Sequence, residues 1–359
     1  MNSDKMADYK EAIDHLAAAL IALRSDPARL LFICPHDRAD GDALGAGFAL
    51  NRVLEKLGIR SQLLLSEEVS KNFAYLGFGD EVKVLRSEER SSEFLEAVRE
   101  KHKPAVMMVD CSGTDRLGVR RPLFETLPEE DRFVLDHHLS SMELSRRVLI
   151  RPEAAATCEL AADLITAWED MEGRELLDHK TATALYTGML TDTGRFTYRA
   201  TSSNTLFAAG RMLDYDVDTQ FLSSHLFDMQ TLGSIRLRCR LAEDLDFFED
   251  GRGVIAKVTA AIMEECGASR EDLEVIPSWL RDIENVEVSI VVRDLDEGSV
   301  RGNLRSLPPL KVEPVARIFG GGGHAQASGF TVEDGDLDEV YRRVREEAAK
   351  LLQSGSAER

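Results

Sequence analysis

The sequence predicts an α/β protein of two domains: a parallel sheet with helices on both faces, then a smaller mixed α/β domain. Its 359 residues favour two domains rather than one. Continuous apolar runs alternate with helical patterns in the first half, as in covered parallel sheets. Strand patterns return only after a helical stretch. We therefore predict an active site in the cleft between two domains, with a first domain 1–215, a helical connector 216–243, a second domain 244–353 and a frayed tail 354–359.

Four apolar runs are the predicted strands of the first domain. Their continuous apolar character is typical of parallel strands that are buried on both faces. Ligands of such sheets bind beyond the carboxyl ends of the strands. The runs are Leu30–Ile33, Gln62–Leu65, Ala105–Val109 and Phe133–Leu135.

Helical periodicity fills most of the remaining chain. The segment Lys5–Leu23 has one apolar face and is predicted to dock on the first domain. A second helix begins after Gly45 and is closed by Gly58. Further predicted helices are Glu93–Lys101, Thr157–Trp168, Asp178–Leu190 and Thr205–Leu213; the second domain has predicted strands Val254–Val258, Val286–Val292 and Val300–Leu304 and predicted helices Val312–Phe319 and Asp336–Leu352.

The composition excludes several classes of function. A formal charge of −20 argues against a broad basic surface for nucleic acid, so a polyanionic substrate must be bound locally. The five cysteines are scattered and form no Cys-x-x-Cys pair, which argues against a disulfide framework and a zinc ribbon. The N-terminal residues are polar, and no apolar run is long enough to span a bilayer. We therefore predict a cytoplasmic protein without a membrane partner.

Acidic and histidine side chains follow the first, third and fourth predicted strands and one predicted helix. For the first of these segments alone, helix capping by Asp42 is the simpler explanation, because Asp and Gly suit any strand-to-helix turn. Asp110 directly follows five apolar residues, where a carboxylate needs a cation or an ion pair to offset its desolvation. Independent caps have no reason to recur at successive strand ends, so the segments together predict one site. They contribute His36, Asp40 and Asp42; Asp110; Asp136, His137 and His138; and Asp192.

Carboxylates combined with imidazoles, without a thiolate, form a ligand set for hard to intermediate cations. Such a set suits Mn²⁺, Mg²⁺ or Fe²⁺ better than structural zinc, and we expect Mn²⁺. The carboxylates are numerous enough for two cations. Two metals about 3.5–4 Å apart activate a water and neutralise the oxygens of an in-line displacement at phosphorus. The ligand set therefore predicts phosphoester hydrolysis.

The same segments resemble the DHH phosphoesterase superfamily, which is named for the triplet that stands here as Asp136-His137-His138. The match runs in order through PHDRADGDALGA, VMMVDCSG, VLDHHLS and GMLTDTGRF. The resemblance implies two metal ions with Asp110 as their bridge. One ion would be held by His36, Asp40 and Asp110, and the other by Asp42, Asp110, His137 and Asp192.

The resemblance also implies roles for residues that do not bind metal. Asp136 would orient an imidazole. His138 would face the substrate phosphate as a hydrogen-bond donor or as an acid towards the leaving oxygen. Arg116 is a further phosphate-binding candidate, although a surface salt bridge is equally consistent with its sequence context.

A run of four glycines, Gly320–Gly323, precedes His324 in the second domain. One glycine would serve as a helix C-cap, but four exceed that need, and backbone without side chains can present several N–H donors to a phosphate. Residues 301–330 carry a net charge of +3 in a chain of −20. This segment resembles the substrate-binding motifs of the DHH-associated domain of the first type. The resemblance implies that a terminal phosphate or nucleotide is gripped by Arg305, Ser306, Gly321, Gly322, Gly323 and His324.

Within the superfamily, the chain most resembles the stand-alone oligoribonuclease (nanoRNase) and pAp phosphatase group. The resemblance implies hydrolysis of short oligonucleotides to nucleoside monophosphates and of the 3′-phosphate of adenosine 3′,5′-bisphosphate (pAp). It implies no binding of long duplexes, and a homodimer. Two alternatives stay open: cleavage of cyclic di-AMP or of linear pApA, and a non-catalytic nucleotide-binding or sensing module. Degenerate ligands would mark the sensing module, and none of the expected metal ligands is missing.

Overall fold

The computed structural model describes residues 3–77, 79–138, 144–295 and 298–356. The chain divides into two compact units, Met1–Asp228 and Met229–Arg359. Their boundary falls inside the segment 216–243 that the sequence analysis assigns to a connector. Each unit contains a six-stranded sheet, parallel in the first and mixed in the second, which confirms the predicted fold class.

The first unit is built on strands that run parallel to one another. They are β1 (Arg29–Pro35), β2 (Ser61–Leu65), β3 (Val82–Val84), β4 (Lys103–Val109), β5 (Arg132–Asp136) and β6 (Val148–Ile150). Their order in the sheet is β3-β2-β1-β4-β5-β6. The direction of winding therefore reverses between β1 and β4. In open sheets a ligand site is expected at the carboxyl ends of the two strands that flank such a reversal.

Helices cover both faces of this sheet, as predicted. Those of the first unit are α1 (Ser3–Ile21), α2 (Gly41–Lys56), α3 (Glu88–Arg99), α4 (Arg121–Glu125), α5 (Thr157–Glu172), α6 (His179–Asp192), α7 (Ser203–Leu213) and α8 (Thr219–Ser223). Alternate residues of a strand point to opposite faces. Leu31 and Ile33 of β1 join the core that includes α1, α2, α5 and α6. Phe32 and Cys34 join the core that includes α3 and α4.

The N-terminal helix docks on the first unit as its apolar face predicts. Leu16 and Leu20 of α1 are fully buried. The indole Nε1 of Trp168, in α5, donates a hydrogen bond of 3.2 Å to the carbonyl oxygen of Ala17. Helix α1 is therefore part of the core of this unit.

The structure differs from the sequence-based expectation at α2 and at the sheet edges. Helix α2 begins at Gly41 rather than after Gly45. Asp40 caps it, because its carboxylate accepts hydrogen bonds of 3.1 Å from the N–H groups of Asp42 and Ala43. Strands β3 and β6, which have three residues each, are not predicted from the sequence patterns. Runs so short carry too few residues for an apolar pattern to emerge.

The second unit combines a mixed sheet with shorter helices. Its strands are β7 (Asp246–Phe248), β8 (Gly253–Val258), β9 (Val288–Asp294), β10 (Val300–Ser306), β11 (Gly322–His324) and β12 (Ala327–Val332). They lie in the order β11-β12-β10-β9-β8-β7, and only β8 and β9 pair in parallel. The helices are α9 (Leu232–Ala242), α10 (Ala260–Cys266), α11 (Arg270–Glu274), α12 (Ile276–Arg281), α13 (Glu313–Ile318) and α14 (Leu337–Ser356).

The last helix extends into the segment that is predicted to be a frayed tail. Helix α14 continues to Ser356, so residues 354–356 of the predicted frayed tail are helical. Residues 357–359 lie outside the described residues. Among the described residues, no helix is both long enough and apolar enough to cross a membrane.

Candidate functional site

The fold brings the predicted metal ligands together at the carboxyl edge of the first sheet. His36 follows β1, Asp110 follows β4 and His137 follows β5, while Asp192 is the last residue of α6. The strand ends that flank the reversal therefore supply the centre of the cluster. Ligand atoms lie within 4.8 Å of one another in three overlapping groups: His36, Asp40 and Asp110; Asp42, His137 and Asp192; and Asp110, Asp136, His137 and His138.

Asp110 lies where these groups meet. Its Oδ2 is 3.8 Å from Nε2 of His36, and its Oδ1 is 3.5 Å from Nε2 of His137. The hydroxyl of Thr157 donates a 3.0 Å hydrogen bond to Oδ1. The residue is only 4% exposed and has a φ of +53°, a left-handed conformation that is uncommon outside glycine. A buried carboxylate in strained backbone, placed between two imidazoles, suits a ligand shared by two cations.

The tautomers of two imidazoles favour a cation. Nδ1 of His36 lies 2.7 Å from the carbonyl oxygen of Asp37, and Nδ1 of His137 lies 3.2 Å from that of Ala154. Because a carbonyl only accepts, each Nδ1 carries a proton, and each Nε2 faces Asp110. Nε2 of each ring lies 3.5–3.8 Å from a carboxylate oxygen of Asp110. A metal ion between them would take a lone pair from the neutral form of each ring, so the residues fit such an ion.

Asp42 has a second set of partners that the sequence does not suggest. Its carboxylate is fully buried and accepts hydrogen bonds from the N–H groups of Thr157, at 2.6 Å, and Cys158, at 2.9 Å. These are the first residues of α5, so Asp42 caps α5, whereas Asp40 caps α2. The approach requires Gly188 of α6, because a Cβ there would lie 2.7 Å from Oδ1 of Asp42.

Charge repulsion makes this cluster costly without a cation. Burial raises the pKa of Asp42 well above its usual range, and the neighbouring Asp110, Asp192 and Asp40 raise it further. Burial likewise raises the pKa of Asp110, with Asp40 adding to the effect. The pKa of Asp192 is raised to about 6, chiefly by burial. A divalent cation would offset each of these shifts, so the donor set fits hard cations.

The third residue of the triplet is held by the first. Oδ1 of Asp136 accepts hydrogen bonds from the backbone N–H of His138, at 3.1 Å, and from its ring Nδ1, at 2.8 Å. The bond from the ring raises the pKa of His138, because a buried carboxylate favours the imidazolium. The His138 side chain is 36% exposed, whereas Asp136 is fully buried. This arrangement keeps a proton donor at the open side of the cluster.

Sequence reasoning did not identify Thr157 and Cys158 as part of this cluster. Both act through their backbone N–H groups, which any residue except proline could supply. The only local signal is the small-residue run Ala154–Ala156 before a helix start. Such a run does not indicate which carboxylate the helix will meet.

The second unit contains a groove of about 490 Å³ beside the glycine run. Strand β10 alternates buried and half-buried residues, so Arg301, Asn303 and Arg305 lie on the groove face. Gly321 must lack a side chain, because a Cβ there would lie 2.2 Å from the carbonyl oxygen of Gly329. Of the predicted substrate residues, Arg305, Gly321 and Gly322 line the groove.

The other predicted substrate residues lie elsewhere. Ser306 is buried, and its hydroxyl donates a 2.8 Å hydrogen bond to the carbonyl oxygen of Leu310. Gly323 and His324 are exposed in β11, outside the groove lining. Arg116 is exposed in the first unit, where its carbonyl oxygen accepts a 2.6 Å hydrogen bond from the N–H of Asp37.

Comparison with known proteins agrees with this architecture. A protein of Thermus thermophilus named bifunctional oligoribonuclease and PAP phosphatase NrnA is 29% identical over 323 residues, which are 90% of each chain. The cyclic-di-AMP phosphodiesterase PdeA of Listeria monocytogenes is 25% identical over 88% of this chain and 46% of its own length. An exopolyphosphatase-related protein from Bacteroides fragilis has the same fold, with a TM-score of 0.82, 21% identity and coverage of 95% and 96% of the two chains.

Two family domains match the two units. The DHH family N-terminal domain matches residues 31–189, which contain five of the six predicted metal ligands, and the sixth, Asp192, follows three residues later. The DHHA1 domain matches residues 252–351, which contain the groove and the glycine run. The chain therefore belongs to the DHH phosphoesterase superfamily and carries an N-terminal DHH domain and a C-terminal DHHA1 domain.

Proposed function

We propose that this protein is a metal-dependent phosphoesterase that hydrolyses short oligonucleotides to nucleoside monophosphates and removes the 3′-phosphate of pAp. The observation that carries the proposal is the convergence of six ligand side chains, with Asp110 among them, in overlapping groups. The T. thermophilus relative supports the substrate class, because its name gives both activities and the two chains match over 90% of their lengths.

The first step of the proposal is metal binding. His36, Asp40 and Asp110 would hold one ion, and Asp42, Asp110, His137 and Asp192 would hold the other. Manganese is the expected ion, and magnesium or iron would also suit a set that mixes imidazole with carboxylate. Two such ions would supply Lewis-acid stabilisation of the phosphate oxygens and lower the pKa of the attacking water.

The side chains around the ions would orient the substrate and move the proton. His138 would donate a hydrogen bond or a proton to the leaving oxygen, because its pKa is raised by Asp136 and its ring is partly exposed. Asp136 would keep the imidazole in place. Thr157 would hold the Asp110 carboxylate through its 3.0 Å hydrogen bond.

The groove of the second unit would bind a phosphate or nucleotide away from the broken bond. Arg305 would supply charge-assisted hydrogen bonds, and the backbone N–H groups of Gly321–Gly323 would supply neutral ones. Ser306 would hold the adjacent turn through Leu310. His324 and Arg116 are proposed as additional phosphate contacts.

A panel of substrates at fixed Mn²⁺ tests the function. The panel contains pApA, pAp, cyclic di-AMP, a longer single strand and pyrophosphate. We expect release of AMP from pApA and of inorganic phosphate from pAp, with slower cleavage of the others and no turnover in excess chelator. If pApA and pAp bind but are not hydrolysed, the protein is a non-catalytic nucleotide-binding module instead.

A second candidate is a cyclic di-AMP phosphodiesterase. The similarity to the Listeria phosphodiesterase favours it, although this chain covers only 46% of that protein. Faster hydrolysis of cyclic di-AMP than of pApA in the same panel would select this activity. We also propose a cytoplasmic location, which the five free cysteines support. A homodimer remains a prediction.

A further inference from the structure

Three rings in the first unit form a group that the proposed catalytic roles do not use. Phe221 of α8 stacks on His225, with ring centroids 5.1 Å apart and planes inclined by 16°. Tyr75 meets both rings edge-on, with centroid distances of 5.4 Å. Phe221 is 43% exposed, so a large aromatic surface faces solvent. We call Tyr75, Phe221 and His225 the ring cluster.

One contact ties the ring cluster to α6, and a second ties a residue beside the cluster to the turn that follows α6. The hydroxyl of Tyr75 lies 2.9 Å from Oγ1 of Thr187, five residues before Asp192. Five residues of helix rise about 7.5 Å. Beyond Asp192, the guanidinium of Arg195 lies 5.0 Å from the ring centroid of Phe227, two residues after His225. The ring cluster therefore contacts the helix that ends at Asp192, a candidate metal ligand, and the neighbouring Phe227 contacts the turn after that helix.

The segment that carries Tyr75 also begins at the candidate site. It is a 3₁₀ helix, residues 71–76, that follows the carboxyl end of β2. The residues between this strand and this helix line a small cavity together with His36 and Ala39. Nε2 of His225 lies 3.0 Å from the carbonyl oxygen of Asn72, which fixes the ring to this segment. The segment that carries Tyr75 thus runs from a cavity beside His36, a candidate metal ligand, to the ring cluster.

We propose that the ring cluster is a stacking platform for a nucleobase of the bound short oligonucleotide. The proposal rests on the proposed function and adds the element that recognises the base. Every nucleobase has a π face, so an aromatic platform binds without reading sequence. Stacking is also independent of charge, which matters in a chain of −20 that cannot attract a polyanion through its overall field.

The test compares Phe221→Ala and Phe221→Trp with the wild type on two substrates. One substrate is pApA, and the other is an analogue in which both nucleotides lack their bases. Phe221→Ala should lower kcat/KM for pApA by about tenfold or more, the size of one lost base stack. It should leave the baseless analogue unchanged, and Phe221→Trp should retain activity. Phe207→Ala is the matched control, because this phenyl ring is 78% exposed on α7.

The outcomes separate this inference from the proposed function. If Phe221→Ala lowers kcat/KM equally for both substrates, or does not lower it for pApA, the stacking platform is wrong. The proposed hydrolytic function would still stand. If the wild type hydrolyses neither substrate, the affinity for pApA, measured by calorimetry in the presence of Ca²⁺, still tests the stacking platform. Phe221→Ala must then weaken binding by a similar factor while Phe207→Ala does not. A purine preference that disappears in Phe221→Ala would further support stacking.

Discussion

The metal centre of the first unit and the glycine-rich groove of the second unit differ in burial and in the sign of their charge. The centre buries Asp42 and Asp110, whose pKa values are raised by burial and by neighbouring carboxylates. The groove is open, lies in a segment of net charge +3 and is walled partly by backbone. A cation would offset the repulsion among the carboxylates of the centre, whereas the positive charge beside the groove favours an anion.

This difference explains how a chain with a net negative charge could bind an anionic substrate and act on it. Reacting groups must be fixed within fractions of an ångström, which burial and dense hydrogen bonding provide. Binding a phosphate requires only local donors and charge, which an exposed strand and a glycine turn provide. Changes in the centre should therefore affect turnover, and changes in the groove should mainly affect KM.

The largest expected effect comes from removing the shared carboxylate. Asp110→Ala should lower hydrolysis of pApA by about a thousandfold or more, because both ions lose a ligand. Steady-state rates at saturating Mn²⁺ measure the loss. Asp26→Ala is the control, since Asp26 pairs with Lys103 at the surface. Retention of a tenth of the activity by Asp110→Ala would refute the two-metal assignment.

A smaller effect is expected in the groove. Arg305→Ala should raise KM for pApA by about ten- to a hundredfold, the range for a lost charge-assisted hydrogen bond, with a smaller change in kcat. Arg317→Ala should be neutral, because Arg317 pairs with Glu313 outside the groove lining. A change in Mn²⁺ affinity in the Arg305 variant would contradict the separation of the two regions.

The affinity of the centre for Mn²⁺ should depend on pH. The pKa of Asp192 is raised to about 6, so its carboxyl gains a proton as the pH falls through that value, and the pKa of Asp42 is also raised, so its carboxyl holds a proton more readily than an ordinary one. Mn²⁺ binds the carboxylate form, so affinity should fall by about tenfold per pH unit for each proton displaced. Calorimetry from pH 7 to pH 5 tests this. An affinity for Mn²⁺ that does not change between pH 7 and pH 5 would contradict the raised pKa values of these carboxyls.

Much of the centre could be predicted because its residues sit at strand ends. Asp110 follows five apolar residues, and a carboxylate there has few explanations other than a partner cation. The reversal between β1 and β4, which places His36 beside Asp110, could not be read from local patterns. Strand order depends on contacts between distant segments, as do the short edge strands.

The partners of Asp42 and the orientation of Ser306 also could not be predicted from local sequence patterns. Asp42 caps α5 through Thr157 and Cys158, more than a hundred residues away. The hydroxyl of Ser306 points into the unit, because β10 alternates and this residue falls on its buried face. A motif identifies residue types, whereas the register of a strand decides which of them face a ligand.

The smallest expected effect distinguishes two neighbouring glycines of the groove. A Cβ on Gly321 would lie 2.2 Å from the carbonyl oxygen of Gly329, whereas a Cβ on Gly322 would meet nothing within 4 Å. Gly321→Ala should therefore lower the free energy of unfolding by about 1–3 kcal/mol, as overpacking does. Gly322→Ala should be neutral or stabilising by less than about 1 kcal/mol, because it restricts the unfolded chain.

Chemical denaturation of both variants measures this difference, and the binding of Mn²⁺ to each should equal that of the wild type. Equal stability of Gly321→Ala and Gly322→Ala would show that the backbone at Gly321 can move away from Gly329. The run would then act as a flexible turn instead of a fixed set of N–H donors. Such a turn would lose more conformational entropy on binding, so the groove would depend more on Arg305 than the proposal assumes.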